Sequence, residues 1–210
     1  LITGCSDEQA DNSKQAEIHM KTSASYVKQG QYRAALIEAR NAVQLAPDKP
    51  AANDQLISVY AELGHWGQVL QVINQLEADI TARQVLAKAN AYIKLSKYRS
   101  AYLLLNQYPE DDFIDQQSLL LRLQGQATAG MGQFKEGASL LVRAAGIEQG
   151  YQASLALAQL RSATGREQEA EAILSRLIET HSEAPELRLL QGKLFLRQGD
   201  YEPAEALLPE

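Results

Sequence analysis

A short pattern restricts this chain more than any other feature. It is a glycine followed two residues later by an aromatic and five residues later by a small side chain. It reads Gly30-Gln31-Tyr32 with Ala35, Gly64-His65-Trp66 with Val69, Ser96-Lys97-Tyr98 with Ala101, Gly132-Gln133-Phe134 with Gly137, Gly165 with Ala170, and Gly199-Asp200-Tyr201 with Ala204. The spacings are 34, 32, 36, 33 and 34 residues. A period of this length marks a supersecondary unit that buries its apolar face only by stacking on its neighbours.

Each position has a physical job. The glycine ends a helix where the chain turns through a conformation that costs a residue with a side chain more. The small residue five places on sits where two helices approach closely. Four residues before most of the glycines lies a second aromatic, Tyr26, Tyr60, Tyr92 or Phe195, placed to pack on a neighbouring helix. Three residues before that aromatic position stand Ser23, Ala89, Gly125, Ala158 and Gly192, small enough to let the two helices of a pair touch; Ile57 breaks the rule in the second unit. The two phased positions hold nine of the thirteen aromatics, so helix packing accounts for most of the aromatic content.

These residues resemble tetratricopeptide repeats (TPRs). The resemblance implies an all-α chain, a right-handed α-solenoid of about six helix-turn-helix repeats. They run approximately over 16–49, 50–81, 82–117, 118–150, 151–184 and an incomplete 185–210. The first repeat matches best, with Ala35, Ala39, Ala42 and Pro47 at consensus places and Pro47 stopping the second helix. The fourth and fifth depart from it: Thr128 and Arg161 replace the first aromatic and Glu167 the second. The longest spacing holds Tyr108-Pro109-Glu110-Asp111-Asp112, expected as a longer loop between repeats. Leu207 and Leu208 lack a following helix to cover them, and the natural protein is expected to continue with further repeats or a capping helix.

The N-terminus adds a second resemblance. Leu1-Ile2-Thr3-Gly4-Cys5 is similar to the lipobox of bacterial lipoproteins, which implies that Cys5 is the cleavage and lipidation site behind a signal peptide. Acyl chains on that thiol would anchor the protein, since each buried methylene contributes about 0.8 kcal/mol. Ser6, where an Asp would resemble an inner-membrane retention signal, points to the outer membrane. Residues 6–15, SDEQADNSKQ, contain no large apolar residue and are expected to form a flexible tether between the lipobox remnant (1–5) and the repeats (16–210).

Nothing in the sequence assembles a catalytic site or calls for a cofactor. His19, His65 and His181 are far apart and make no metal-ligand pair. No nucleophile elbow or phosphate-cradling glycine loop occurs. Glu110, Asp111 and Asp112 read as a solvated loop, because paired-carboxylate chemistry needs two opposed carboxylates across a cleft. A net charge of −6 with no basic run excludes nucleic acid as a partner.

What remains is surface. In TPR proteins the first helices of successive repeats line a concave groove. Carried over by alignment, the groove positions hold Met20, Ala24, Asp54, Arg83, Asn90, Arg122, Gln126, Gln159, Lys193 and Arg197. Amides can satisfy the main chain of an extended peptide and Arg can take carboxylates, so protein or peptide partners are expected there. The carboxylate clamp of chaperone-binding TPR proteins wants Lys and Asn where this chain has Met20 and Ala24.

The combination of lipobox, short tether and repeats is similar to TPR lipoproteins associated with exopolysaccharide production and PEP-CTERM protein sorting. It implies a non-enzymatic scaffold of the bacterial cell envelope. Type IV pilus and secretin pilotin lipoproteins share the same plan. A cytoplasmic adaptor or co-chaperone with an incidental Cys5 is the other class, and an enzyme would need a separate domain beyond Glu210.

Overall fold

The computed structural model describes residues 3–76, 80–147 and 150–207, with side chains from Ala10 onward. It divides into two compact units, Leu1–Leu95 and Ser96–Glu210. The first contains α1 (Thr3–Lys28), α2 (Tyr32–Leu45), α3 (Pro50–Glu62), α4 (Trp66–Asn74) and α5 (Ala82–Lys94). The second contains α6 (Tyr98–Leu105), a 3-10 helix (Glu110–Gln116), α7 (Gln117–Gly130), α8 (Phe134–Ile147), α9 (Gln152–Ala163), α10 (Glu167–Thr180), α11 (Pro185–Gln198) and α12 (Tyr201–Glu205). The described residues hold no strand, so the all-helical expectation is met.

The phased turns explain why the helices pair. Gly30, Gly64, Gly132, Gly165 and Gly199 have φ values of 71°, 70°, 89°, 74° and 83°, and Ser96, the one signature position without glycine, has 58°. Each glycine turn is closed by a backbone hydrogen bond from the residue after it to the carbonyl five residues back. Gln31 donates to Tyr26 at 2.9 Å, His65 to Tyr60 at 2.8 Å, Gln133 to Thr128 at 3.2 Å, Arg166 to Arg161 at 2.9 Å and Asp200 to Phe195 at 2.9 Å. That 6→1 bond ties off an orphan helix carbonyl and points the next helix back along the first. Thr128 and Arg161 serve here as well as the aromatics do, because the bond uses only the backbone.

Within a pair the small residues meet. Ser23 is fully buried and its hydroxyl donates to the Ala35 carbonyl at 2.9 Å. A side chain added at Gly137 would lie 2.8 Å from both the Gly125 carbonyl and the Ala129 methyl, so α7 and α8 cross backbone to backbone. Ala35, Val69, Ala101, Ala170 and Ala204 are all buried. In the first unit Ile57, the exception to the small-residue rule, joins Leu56, Val59, Tyr60, Val69 and Ile73 in the core. In the second unit, Leu155, Ala158, Ala170, Leu174, Leu187 and Leu194 gather α9, α10 and α11 around one core.

Two segments differ from expectation. Residues 6–15, expected as a tether, continue α1. Gln, Ala, Glu and Lys propagate a helix at little cost once a packed segment has nucleated it, so no apolar face is needed. Lys49 reinforces the segment: its ammonium lies 3.4 Å from the Ser13 hydroxyl and 2.7 Å from the Glu17 carboxylate. Bonded to Lys49, the Glu17 carboxyl is held below its ordinary pKa. The stretch after Tyr108, expected as a loop, forms the 3-10 helix. Phe113, 1% exposed, pins it and meets Tyr108 edge-on at 6.3 Å. Leu1, Ile2 and Leu208–Glu210 lie outside the described residues, and so does the side chain of Cys5, whose backbone belongs to α1.

Candidate partner-binding clefts

In the first unit, α3 and α5 lie side by side as first helices of consecutive pairs. Helical spacing sends Ala51, Asp54, Ser58 and Ala61 from α3, and Arg83, Ala87 and Asn90 from α5, toward one cleft. It encloses about 370 Å³, with Ile57, Trp66 and Val69 in its lining. The small Ala51, Ser58, Ala61 and Ala87 stand among longer polar side chains in that lining, and Trp66, which starts α4 just beyond the Gly64 turn, joins them. Thus Asp54, Arg83 and Asn90, three of the expected groove residues, come together.

Polar contacts set the width of this cleft. The Gln84 amide donates to Asp54 Oδ1 at 2.7 Å, bridging α3 and α5, and Gln84 also completes the capping box of Thr81 at the start of α5. On the other side the Gln55 amide donates to the Ser23 hydroxyl at 3.0 Å, bridging α3 to α1. Lys94 places its ammonium 6.0 Å from the centre of the Trp66 ring. Among the described residues, the half-buried Asn90 carboxamide has no hydrogen-bond partner. Met20 and Ala24, on α1, are half-buried and outside the lining of this cleft.

The second unit has a related cleft of about 270 Å³ between α9 and α11, where Gln159, Lys193 and Arg197 meet Ser162, Glu186 and Leu189. Arg197 is partly committed: its guanidinium donates to the Ser162 carbonyl at 2.5 Å, capping the end of α9, and lies 4.0 Å from Glu167. Arg122 and Gln126, one turn apart on α7, are half-buried, and the Gln126 side-chain oxygen is buried without a hydrogen-bond partner.

The histidines are dispersed. His19 pairs with Glu38 at 2.5 Å, His65 precedes α4, and His181 packs on Tyr151 with ring centres 4.8 Å apart. No group of three or more His, Cys, Asp or Glu among the described residues could hold a metal ion. Glu110, Asp111 and Asp112 are exposed at the start of the 3-10 helix. No helix among the described residues is long and apolar enough to cross a membrane.

Sequence reasoning missed Trp66 and Gln84 as cleft residues. Both were legible in principle: Trp66 belongs to the repeat pattern, and Thr81 with Gln84 forms a capping-box pair. It also missed Gly130, where a methyl group would enter the Tyr98 ring.

Comparisons with known proteins agree with this geometry. A tetratricopeptide-repeat family model matches residues 129–194, which covers the second part of the fourth repeat, the fifth and the start of the sixth. No curated protein matches the chain. Among solved structures, a thermophilic TPR protein of Thermus thermophilus superposes with a TM-score of 0.75 at 21% identity, covering 86% of this chain and 99% of its own. A TPR protein of Parabacteroides merdae gives 0.77 at 18% identity, covering 91% of this chain and 75% of its own. PilW, described as a widely conserved type IV pilus biogenesis factor, gives 0.71 at 17% identity over 91% of this chain and 90% of its own. With its phased turns and paired helices, the chain has the fold of tetratricopeptide-repeat proteins.

Proposed function

We propose that the protein is a non-enzymatic scaffold of the bacterial cell envelope, binding partner proteins or peptides along the faces formed by its first helices. One observation carries this reading: the α3–α5 cleft combines an apolar floor with the half-buried Asn90 carboxamide, which has no hydrogen-bond partner among the described residues. A solenoid core does not need such a group. Burying it without a partner would cost about 1–3 kcal/mol, so it suits a site that a ligand completes.

The envelope setting rests on Leu1-Ile2-Thr3-Gly4-Cys5, with Cys5 as the lipidation site on a periplasm-facing, outer-membrane lipoprotein. Within that setting, association with exopolysaccharide export and protein sorting is the first reading. A role like that of PilW in pilus biogenesis is the second, favoured by the likeness of fold over nearly the whole length of both chains.

Two experiments separate these elements. Metabolic labelling with an alkynyl fatty acid should mark the protein and be lost in Cys5→Ser; an unlabelled full-length chain removes the anchor. Ser58→Arg combined with Lys193→Glu should abolish recovery of partners from the native envelope while circular dichroism is unchanged. Undiminished recovery contradicts binding through the first helices.

A further inference from the structure

The second helices of the repeats are not all of one length. Each begins two residues after its turn residue, and α2, α8 and α10 run for 14 residues, but α4 stops after 9 residues at Asn74. Gln75 and Leu76, which follow, are not helical. Beside this early end lies a cavity of about 710 Å³, bordered by the ends of α2 and α4 and the first turns of α3 and α5. It is separate from the first-helix clefts: of its described lining residues only Gln84 also lines the α3–α5 cleft. We infer that this cavity is a second binding site, for a neutral aromatic ring that carries one N–H or O–H donor, an indole or a phenol.

Asn53 supplies the polar anchor. It is 5% exposed, and its carboxamide nitrogen donates to the Pro47 carbonyl at 2.7 Å and to the Lys49 carbonyl at 3.4 Å. Those bonds fix the orientation of the group and turn Oδ1 the other way. Among the described residues Oδ1 has no partner, yet it is not sealed from solvent, so a held acceptor opens on the cavity that Asn53 lines. A ligand that covered it without a donor would strand a buried acceptor, so the ligand must bring an N–H or O–H. Gln84, the other deeply buried amide, is already engaged at both ends: its oxygen accepts from the Thr81 N–H and its nitrogen donates to Asp54.

The walls are Val43, Leu56, Val72 and Leu76, with the rings of Pro47 and Pro50 at the exposed edge. Proline rings are rigid faces that aromatic rings cover well, and an aromatic ring offers a large contact area at a low cost in freedom. The volume lies within the range of small-molecule sites and is ample for a fused ring. Anions are disfavoured: Asp48 is the one charged residue in the described lining, and the neighbouring Lys49 is turned toward Glu17 and Ser13. The helix starts offer an anion little, since Pro50 has no N–H, those of Ala52 and Asn53 bond the Lys49 carbonyl, and the capping box closes α5. An ammonium would need more than one solvent-exposed carboxylate to repay its desolvation among these walls.

The probe is indole, titrated into the isotope-labelled full chain and followed by amide proton–nitrogen correlation spectra. Expected are saturable shifts of the Asn53 side-chain amide and of the backbone amides around the cavity, with Kd in about the millimolar range or tighter. N-methylindole, which has lost the donor, should bind about fivefold or more weakly. Indoleacetate should bind about tenfold or more weakly, and Asp48→Lys should bring it to within about twofold of indole while leaving indole itself unchanged. Val72→Phe, which fills the cavity, should abolish the shifts while its circular dichroism matches the parent. An acetylated and amidated Gly-Trp-Gly peptide assigns the source: tighter binding than indole makes the ring a partner protein's side chain, and weaker binding makes it a free molecule. No saturable shift, equal binding of N-methylindole, or shifts confined to the α3–α5 cleft overturns the inference. Ser58→Arg with Lys193→Glu should leave indole binding intact, so this site and the first-helix surface stand or fail separately.

Discussion

Ser96 occupies a place that glycine fills in the other five turns, and its φ of 58° puts a Cβ where the backbone carbonyl crowds it. Ser96→Gly should therefore raise stability by about 0.5–1 kcal/mol, the relief of that strain less the added freedom of the unfolded chain. Gly132→Ala at φ 89° should lower it by about 1 kcal/mol or more. Urea titrations followed by far-ultraviolet circular dichroism check both signs, and a loss of stability in Ser96→Gly would contradict the account of the turn. These turns could be read from the sequence because a required backbone conformation leaves a periodic residue choice. The Gly130 contact could not: Tyr98 meets it from 32 residues away, and one sequence carries no sign of which side chain a lone glycine accommodates. Gly130→Ala should displace the Tyr98 ring and cost about 1–3 kcal/mol, seen as a lower denaturation midpoint with unchanged helix content.

At the level of elements, register was legible and exceptions to register were not. The periodic small residues place Ser23 against Ala35 and Gly125 against Gly137, contacts the structure contains. The 3-10 helix was hidden because its one buried residue, Phe113, lies in a run of carboxylates that reads as solvated loop. Phe113→Ala should cost about 3–5 kcal/mol and expose the 109–116 segment to proteolysis. A variant as resistant as the parent would show that the segment is held by something else. The start of α1 escaped notice for a related reason: a polar helix has no apolar stripe, and amphipathic periodicity is the main sign by which helices are recognised. Asp54, Arg83 and Asn90 meet because first-helix positions counted back from each turn point the same way. Arg197 shows the limit of such counting, since it reaches the groove face and then caps α9.

For the whole molecule, stability is a sum over helix pairs and their nearest neighbours, so surface residues of the first helices can change without loss of fold. The buried small residues and turns specify the architecture, and under the proposed function the cleft residues choose the partner. Site-specific photo-crosslinking in the native envelope tests the claim most directly. A benzophenone side chain is placed in turn at Ser58, at Gln159, and at the exposed Ile37 on α2 as the reference. The account predicts a discrete crosslinked partner from Ser58 or Gln159 and none from Ile37. Crosslinking from Ile37 alone, or equally from all three, would contradict it.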